Sequence, residues 1–389
     1  MDAYIIKGFR SAVGKAKKGG FRNFRSDDLA VRIIRHLADQ YPQISPAEVD
    51  DVIVGCANPE GEQGLQVGRL VASRALGIEV PGMTINRYCA SGLEAIAIAT
   101  AKIKAGMGHC YIAGGLESMS LIPMTGYKLS PSYEASIENI NYHVSMGHTA
   151  EAVAGKYEIT REASDMFSVL SHQKAWNAIQ NGFFSAQIVP VEVKDISVQD
   201  GKRVEKKWMV DTDEGVRPDT TLEGLAALKP AFKSNGVVTA GNASQTSDGA
   251  AFVLVMSEMF MKQKGLNPDA RMVSCAHGGV DPLYMGIGPC VAIPKALQSA
   301  GLSIQDIDLV ELNEAFAAQA LAVIKVAGLD PEKVNINGGA IALGHPLGCT
   351  GAKLTIQLMA DLKRLQKKYG MVTACVGGGQ GIAAVFEKM

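Results

Sequence analysis

Two stretches of the chain resemble each other, and this internal repeat restricts the possible folds more than any other feature of the sequence. Residues 45–55 (SPAEVDDVIVG) align with residues 303–313 (SIQDIDLVELN). Each copy continues with a predicted helix, a strand that ends in a turn, and a second helix that is buried or half-buried. Each copy then closes with a strand that runs into consecutive glycines, IAGG at 112–115 and CVGGG at 375–379. The repeat predicts two equivalent units whose strand-end loops meet at one shared site.

Predicted strands and helices alternate through residues 1–116 and again after residue 251, which is typical of an α/β layered sheet. The predicted strands are Ala3–Lys7, Asp51–Gly55, Met83–Arg87, Cys110–Gly114, Phe252–Ser257, Arg271–His277, Asp308–Leu312, Val334–Asn337, Met371–Val376 and Ile382–Glu387. The predicted helices are Asp28–Gln40 (capped by Ser26 or Asp27), Leu65–Leu76, Ser91–Ala105, Arg161–Asn181, one after Pro289, one ending at Ala327, and Thr350–Lys368. At 389 residues the chain is longer than a single core usually supports, so two domains or a duplicated unit are expected.

Residues 117–240 interrupt this regular alternation. Proline, glycine and polar residues are frequent there, and helix 161–181 is the one clear amphipathic element. An irregular segment of this length inside a compact protein is usually functional. We therefore predict that it covers a site.

The composition argues against several classes of protein. The net charge is −1 with interspersed charges, so a nucleic-acid partner is not indicated. The seven cysteines show no regular framework, which fits a reducing compartment. No apolar run is long enough for a membrane-spanning helix. The first strand begins almost at Met1, and the C-terminal FEKM is not a peroxisomal signal, so a cytoplasmic location is expected.

Cys89 precedes a helix that is apolar on almost every face, a pattern typical of a buried helix. The free N–H groups at a helix N-terminus favour a thiolate, so Cys89 is a candidate nucleophile. The alternative is a buried structural cysteine, the more usual role of this residue type.

Three further candidate residues follow other predicted strands, where sites in α/β sheets usually lie. They are Asn313, His345 in a glycine-rich loop, and Cys375. A cysteine nucleophile needs a base within hydrogen-bond reach and N–H donors for the developing oxyanion. His345 is the best candidate for that base, although it could instead hold the glycine loop.

The residue spacing argues against a zinc site and against a phosphate-binding loop. A zinc site from Cys89, His345 and Cys375 lacks any CxxC or HxxxH spacing. The run from Gly344 to Lys353 fails the phosphate-loop pattern, because Cys349 stands where the second glycine belongs. The five remaining cysteines are expected to fill positions in or next to the core: Cys56, Cys110, Cys275, Cys290 and Cys349.

Six separated motifs resemble those of the thiolase family, in that family's order, and the resemblance runs from Ala3 to Glu387. The motifs are NRYCASG around Cys89, TAGNASQTSDGAA at 239–251, MGIGP at 285–289, NEAF from Asn313, GGAIALGHPLGCTGA at 338–352 and CVGGGQG from Cys375. The resemblance implies two duplicated βαβαβαββ halves in a five-layer αβαβα sandwich. It divides the chain into an N-terminal half (1–116 plus 241–265), an inserted loop domain (117–240) and a C-terminal half (266–389).

The resemblance also implies roles for individual residues. Cys89 would take the acyl group, and His345 would deprotonate it and hold the thioester oxygen of the acetyl-CoA enolate. Asn313 would position a water in that oxyanion hole, and Cys375 would protonate the enolate. The N–H groups of Cys89 and Gly377 would form a second oxyanion hole. Coenzyme A would be a co-substrate contacted by Arg217, Ser244, Met146, Phe232 and Phe316, with no permanently bound cofactor and no metal.

The sequence of residues 213–232, DEGVRPDTTLEGLAALKPAF, is more similar to that of degradative 3-ketoacyl-CoA thiolases of β-oxidation than to that of acetoacetyl-CoA thiolases. Acetoacetyl-CoA thiolase remains the main alternative, and a non-catalytic lipid-binding member of the superfamily is a remote one. Ketoacyl synthases are disfavoured, because they place histidines where this chain has Asn313 and Cys375. The resemblance implies a homodimer, with a tetramer or a complex with other β-oxidation enzymes also open.

Overall fold

A computed structural model describes all 389 residues and contains twelve strands and twelve α-helices. The strands are β1 (Ala3–Arg10), β2 (Gly14–Lys15), β3 (Asp51–Gly55), β4 (Gly82–Ile85), β5 (Cys110–Ser118), β6 (Val191–Gln199), β7 (Lys202–Val210), β8 (Ser247–Ser257), β9 (Ala270–Gly279), β10 (Leu309–Leu312), β11 (Tyr369–Val376) and β12 (Gln380–Lys388). The helices are α1 (Ser26–Asp39), α2 (Val67–Ala75), α3 (Ser91–Lys104), α4 (Tyr133–Glu138), α5 (Met146–Tyr157), α6 (Arg161–Gln180), α7 (Leu222–Ala226), α8 (Glu258–Gln263), α9 (Gly288–Ala300), α10 (Ala317–Ala327), α11 (Ala340–Leu343) and α12 (Leu347–Arg364). No helix is both long and apolar enough to cross a membrane.

The two halves have the same sheet topology. In the N-terminal half the strand order is β4-β3-β5-β8-β1, with β4, β3 and β5 parallel and the remaining pairs antiparallel. In the C-terminal half the order is β10-β11-β12-β9, and a parallel bridge between Val310 and Val334 stands where β4 stands in the first half. A pairing of Ile5 with Ala270 joins β1 to β9. The predicted duplication is therefore confirmed.

Five layers follow from the alternation of side chains along the strands. Val52 and Val54 of β3 face an outer core under α1 and α2, whereas Ile53 faces an inner core. In β11, Met371 faces a second outer core under α9 and α10, whereas Val372 faces the same inner core. The inner core contains α3 and α12, so the order is helices, sheet, helices, sheet, helices.

The central helices α3 and α12 approach each other closely where α3 begins. A Cβ atom at Gly92 would lie 2.8 Å from both the backbone nitrogen of Ala352 and the carbonyl oxygen of Gly348. Only glycine fits there without displacing the α12 backbone. This contact places the start of α3 beside the start of α12.

Residues between β5 and β8 hold more regular structure than the sequence analysis predicted. Besides α6 they form α4, α5, α7 and the antiparallel ribbon β6–β7. Asp213 anchors this segment to β1, because its carboxylate receives two bonds from the buried Arg10 guanidinium, at 2.7 and 2.9 Å. Burial alone would raise the pKa of Asp213, but the charge and hydrogen bonds of Arg10, together with the charge of Lys353 and the Val13 N–H, hold that pKa below its usual value.

Two local predictions were wrong. The strand expected at Val334–Asn337 is reduced to one bridge, because Asn335 adopts a φ of +46°. Its side chain instead bonds the backbone of Leu312, accepting from the N–H at 2.9 Å and donating to the carbonyl at 2.8 Å. Helix α1 is preceded by Arg25 and has no side-chain cap, so neither Ser26 nor Asp27 caps it.

Candidate functional site

Cys89 lies in a tight turn, Tyr88–Ala90, directly before α3. Tyr88 has a φ of +44°, which is uncommon for a bulky residue. Three hydrogen bonds hold this conformation: Tyr88 N to Asn86 Oδ1 at 2.8 Å, Arg87 N to Ser91 Oγ at 2.9 Å, and Ser91 Oγ to the Tyr88 carbonyl at 2.7 Å. The local sequence therefore fixes the backbone of the turn that carries the thiol.

The backbone N–H groups of Gly377 and of Cys89 itself act on the Cys89 sulfur and lower its pKa. Burial nevertheless raises the pKa of the Cys89 thiol to about 11, against the smaller lowering effect of these donors. The backbone N–H groups favour the thiolate, as expected, but loss of solvent outweighs them and the net pKa is raised. At neutral pH Cys89 is a thiol that needs a base.

His345 is buried in the loop between α11 and α12. Gly344 before it has a φ of +94°, a conformation that favours glycine. The His345 backbone N–H bonds the carbonyl of Gln245 at 3.1 Å, which ties this loop to the chain entering β8. The ring lies between Thr350, with Nδ1 2.6 Å from Oγ1, and Asn313, with Nε2 3.3 Å from Nδ2. Burial and the positive charge of Lys353 lower the pKa of His345 to about 3, so the imidazole is neutral.

Asn313 follows β10, and its backbone N–H bonds the carbonyl of Thr373 on β11 at 2.9 Å. Its side-chain oxygen Oδ1 is buried and has no hydrogen-bond partner within the protein. An unpaired buried acceptor is costly unless a ligand or water satisfies it. This atom therefore fits a role toward a bound molecule.

Cys375 is fully buried at the end of β11, two residues before Gly377. Burial, and then the neighbouring Cys89, raise the pKa of the Cys375 thiol. The turn that carries Cys89 packs against β11, so the structure brings together the two cysteines, which come from different halves of the chain. Cys375 packs in an apolar cluster with Ala150, Val238, Met285, Ala315 and Phe316.

Two buried carboxyl groups, which sequence reasoning missed, hold this arrangement. Glu314 accepts from Ser171 Oγ and Asn335 Nδ2, both at 2.8 Å, and from Ile341 N at 3.2 Å. It thereby connects the Asn313 turn to α11, the short helix that precedes His345. Its position inside the NEAF motif was the one available signal.

Glu117 is the second buried carboxyl group, near the end of β5. It accepts from Ala57 N at 2.8 Å, Gln63 Nε2 at 2.6 Å and Gly348 N at 2.9 Å. It therefore fixes the start of α12, which carries Thr350, against the N-terminal half.

Four of the five residues expected to contact coenzyme A make contacts that link them to Gly377, to one another or to the chain near Cys375. Met146 and the ring of Tyr88 flank Gly377, within 4 Å of the position that a Cβ there would occupy. The ring of Phe232 meets that of Phe316 edge-on at 6.4 Å. The backbone N–H of Ser244 bonds the carbonyl of Ala315 at 3.0 Å. These contacts bring Met146, Phe232, Phe316 and Ser244 to the side of the site that contains Cys375.

Arg217 lies on the loop before α7 and is exposed. Its backbone N–H bonds Nδ1 of the buried His172 at 3.1 Å, which leaves the guanidinium free to meet solvent or a ligand. The other five cysteines are free thiols; Cys56, Cys110 and Cys349 are buried, and Cys275 and Cys290 are half-buried.

Comparisons with known proteins cover the whole chain. The profile "Thiolase, N-terminal domain" matches residues 3–259, and "Thiolase, C-terminal domain" matches residues 266–388. A 3-ketoacyl-CoA thiolase of Bacillus subtilis is 51% identical over 388 residues, 99% of each chain. A peroxisomal 3-ketoacyl-CoA thiolase 1 of Arabidopsis thaliana is 44% identical over 392 residues, covering 100% of this chain and 88% of that protein.

A solved structure supports the same assignment. The crystal structure of a Bacillus anthracis acetyl-CoA acetyltransferase superposes with a TM-score of 0.90 at 41% identity, over 100% of this chain and 99% of that one. With both family profiles matched and the duplicated five-layer fold observed, the chain belongs to the thiolase family.

Proposed function

We propose that the protein is a degradative 3-ketoacyl-CoA thiolase, an acyltransferase that cleaves 3-ketoacyl-CoA with coenzyme A into acetyl-CoA and an acyl-CoA two carbons shorter. The observation that carries this proposal is the turn of Cys89, which packs against β11, where Cys375 lies, with the Tyr88 ring next to Gly377. A carbon–carbon cleavage needs a nucleophile on one side of the bond and an acid on the other.

In the first step the sulfur of Cys89 attacks the C3 carbonyl carbon while its proton passes to Nε2 of His345. The N–H groups of Cys89 and Gly377 hold the oxyanion that forms on the C3 oxygen. Because the thiol has a pKa of about 11 and the imidazole one of about 3, proton transfer must accompany the attack. A resting ion pair would be unfavourable in this buried site.

In the second step the C2–C3 bond breaks, and its electron pair moves to C2 and the thioester oxygen as an enolate. Protonated His345, with a water held by Asn313, stabilises that oxygen. Cys375 then gives its proton to C2, and acetyl-CoA leaves. The acyl group remains on Cys89 as a thioester.

In the third step coenzyme A attacks the acyl group on Cys89. The thiol proton of coenzyme A passes to the Cys375 thiolate, and Cys89 leaves and recovers its proton from His345. Both cysteines and the histidine return to their starting states. Coenzyme A is thus a co-substrate, and no permanent cofactor is required.

Residues of segment 117–240 are proposed to form the coenzyme A side of the site as an inserted loop domain between parts of the N-terminal half. Met146 and Phe232, with Ser244 and Phe316, would line the path of the pantetheine chain, and the exposed Arg217 would meet the nucleotide phosphate. Their position next to Cys375 and Gly377 supports this assignment.

The degradative type is favoured by the names of two relatives, both 3-ketoacyl-CoA thiolases. Each methylene group buried in an apolar tunnel contributes roughly 0.8 kcal/mol to binding. We therefore expect kcat/KM to rise from the four-carbon substrate to medium and long 3-ketoacyl-CoA, measured from four to sixteen carbons. A sharp preference for four carbons would instead favour acetoacetyl-CoA thiolase. Cys89→Ala, assayed in parallel, corrects for uncatalysed cleavage.

A homodimer is proposed as the assembly. Strand β4 is the outer edge of its sheet, and all four of its residues are only half-buried. An unpaired edge of this kind invites a second strand. A cluster of exposed apolar side chains lies in the segment after β5: Met124, Tyr127, Leu129, Tyr133, Ile137 and Ile140. Light scattering at micromolar concentration should give a dimer, and a monomer would contradict this assembly.

The free state of all seven cysteines supports a reducing compartment, and we propose the cytoplasm.

A further inference from the structure

The His345 ring is held between two side chains, and the hydrogen bonds at one of them decide which ring nitrogen carries the proton. Oγ1 of Thr350 lies 2.6 Å from Nδ1 of His345 and 2.9 Å from the carbonyl oxygen of Pro346. A hydroxyl has one proton to donate, and a carbonyl oxygen can only accept. The Thr350 hydroxyl therefore donates to Pro346 and accepts a bond from Nδ1–H of His345.

The contact at the other ring nitrogen, Nε2, also favours a proton on Nδ1. Nε2 of His345 lies 3.3 Å from Nδ2 of Asn313, an amide donor that faces the remaining lone pair. The opposite tautomer would set Nε2–H against Nδ2–H of Asn313 unless the Asn313 amide turned its Oδ1 toward the ring. It would also leave Nδ1 facing a hydroxyl already committed to Pro346.

We propose that Thr350 is the positioning residue that fixes His345 as the Nδ1–H tautomer and so presents a basic Nε2 to the Cys89 thiol. This inference rests on the proposed function, because thiolysis is what requires a lone pair on Nε2. In the first step the proton leaves Sγ of Cys89 for Nε2. The imidazolium that forms keeps its Nδ1–H bonded to Thr350 throughout.

The helix itself supplies a matched control. Thr355 lies one turn and a half further along α12 and is as buried as Thr350, at 0% and 1% exposure. Its hydroxyl makes the same kind of bond, to the carbonyl of Gly351 four residues earlier at 2.8 Å. It makes no hydrogen bond to a histidine. Thr355→Val therefore reproduces every consequence of Thr350→Val except the loss of the imidazole contact.

The tautomer can be read directly in the wild-type protein by NMR with ¹⁵N-labelled histidine, without substrate. His345 is assigned by the signals that disappear in His345→Gln. The expected spectrum shows Nδ1 protonated and Nε2 unprotonated at neutral pH. In Thr350→Val the population with Nε2 protonated should increase. A wild-type spectrum with Nε2 protonated would overturn the inference.

The kinetic arm uses a 3-ketoacyl-CoA substrate and variants whose thermal unfolding is first compared with wild type. Thr350→Val should lower kcat by about 100-fold, the lower end of a positioned base's contribution, with KM nearly unchanged. Thr350→Ser keeps the acceptor and should restore most of kcat, and Thr355→Val should retain it. If Thr350→Val kept both the tautomer and kcat, the inference would be wrong. Absence of thiolysis in wild type would overturn the proposed function instead, because the spectrum is read independently.

Discussion

Replacement of Cys375 by serine should abolish carbon–carbon cleavage while leaving Cys89 able to accept an acyl group. A serine hydroxyl has nearly the size of the thiol but is a far weaker acid, so the enolate at C2 lacks a matched proton donor. Loss of a positioned acid typically costs about 10²- to 10⁴-fold. We expect thiolysis of 3-ketoacyl-CoA to fall by that factor.

The acylation arm of this experiment uses an aryl thioester, whose leaving group departs as a stable thiolate and needs no proton from Cys375. Cys375→Ser should be acylated by this reagent at close to the wild-type rate, measured by intact mass. Cys110→Ser is the matched control, because Cys110 is likewise fully buried on a strand, β5, and has no proposed role. Equal loss of both partial reactions in Cys375→Ser would show that Cys375 is structural.

Replacement of Cys89 by alanine should lower thiolysis still further, because no other side chain can replace Cys89 as the nucleophile. Removal of a catalytic nucleophile lowers kcat by about 10⁴-fold or more in enzymes whose catalytic residues act as a unit. Cys89→Ala should lose thiolysis to this extent and should not be acylated by the aryl thioester. Its thermal unfolding should remain close to wild type, since the change removes only one sulfur atom from a short turn. Residual activity within about tenfold of wild type would exclude Cys89 as the nucleophile.

The fold was predictable to a large extent because its determinants are local and repeated. Strand β3 was predicted with the same bounds as observed, and α3 to within one residue, since both combine clear hydrophobic runs with glycine stops. The strand expected at Val334–Asn337 failed because Asn335 bonds Leu312 and Glu314 across the fold. Such a contact depends on tertiary placement and leaves no periodic signal in the sequence.

The identities of the candidate site residues were predictable from the sequence, but their pKa values and protonation states were less so. Motif positions identified Cys89, His345, Asn313 and Cys375; the structure pairs His345 with Asn313 and packs the turn of Cys89 against β11, which carries Cys375. The direction of the Cys89 pKa could not be predicted, because the helix terminus is visible in the sequence and the loss of solvent is not. The tautomer of His345 likewise depends on Thr350, whose hydroxyl reaches the ring only through the geometry of the loop and helix.

The central claim is that the acyl group passes through Cys89. The most direct test exposes the enzyme briefly to one 3-ketoacyl-CoA without coenzyme A, followed by intact mass and peptide mapping. The account predicts one adduct per chain on Cys89, with the mass of an acyl group two carbons shorter than the substrate, and one equivalent of acetyl-CoA released. An adduct on Cys375, or one that carries the full 3-ketoacyl group, would contradict it.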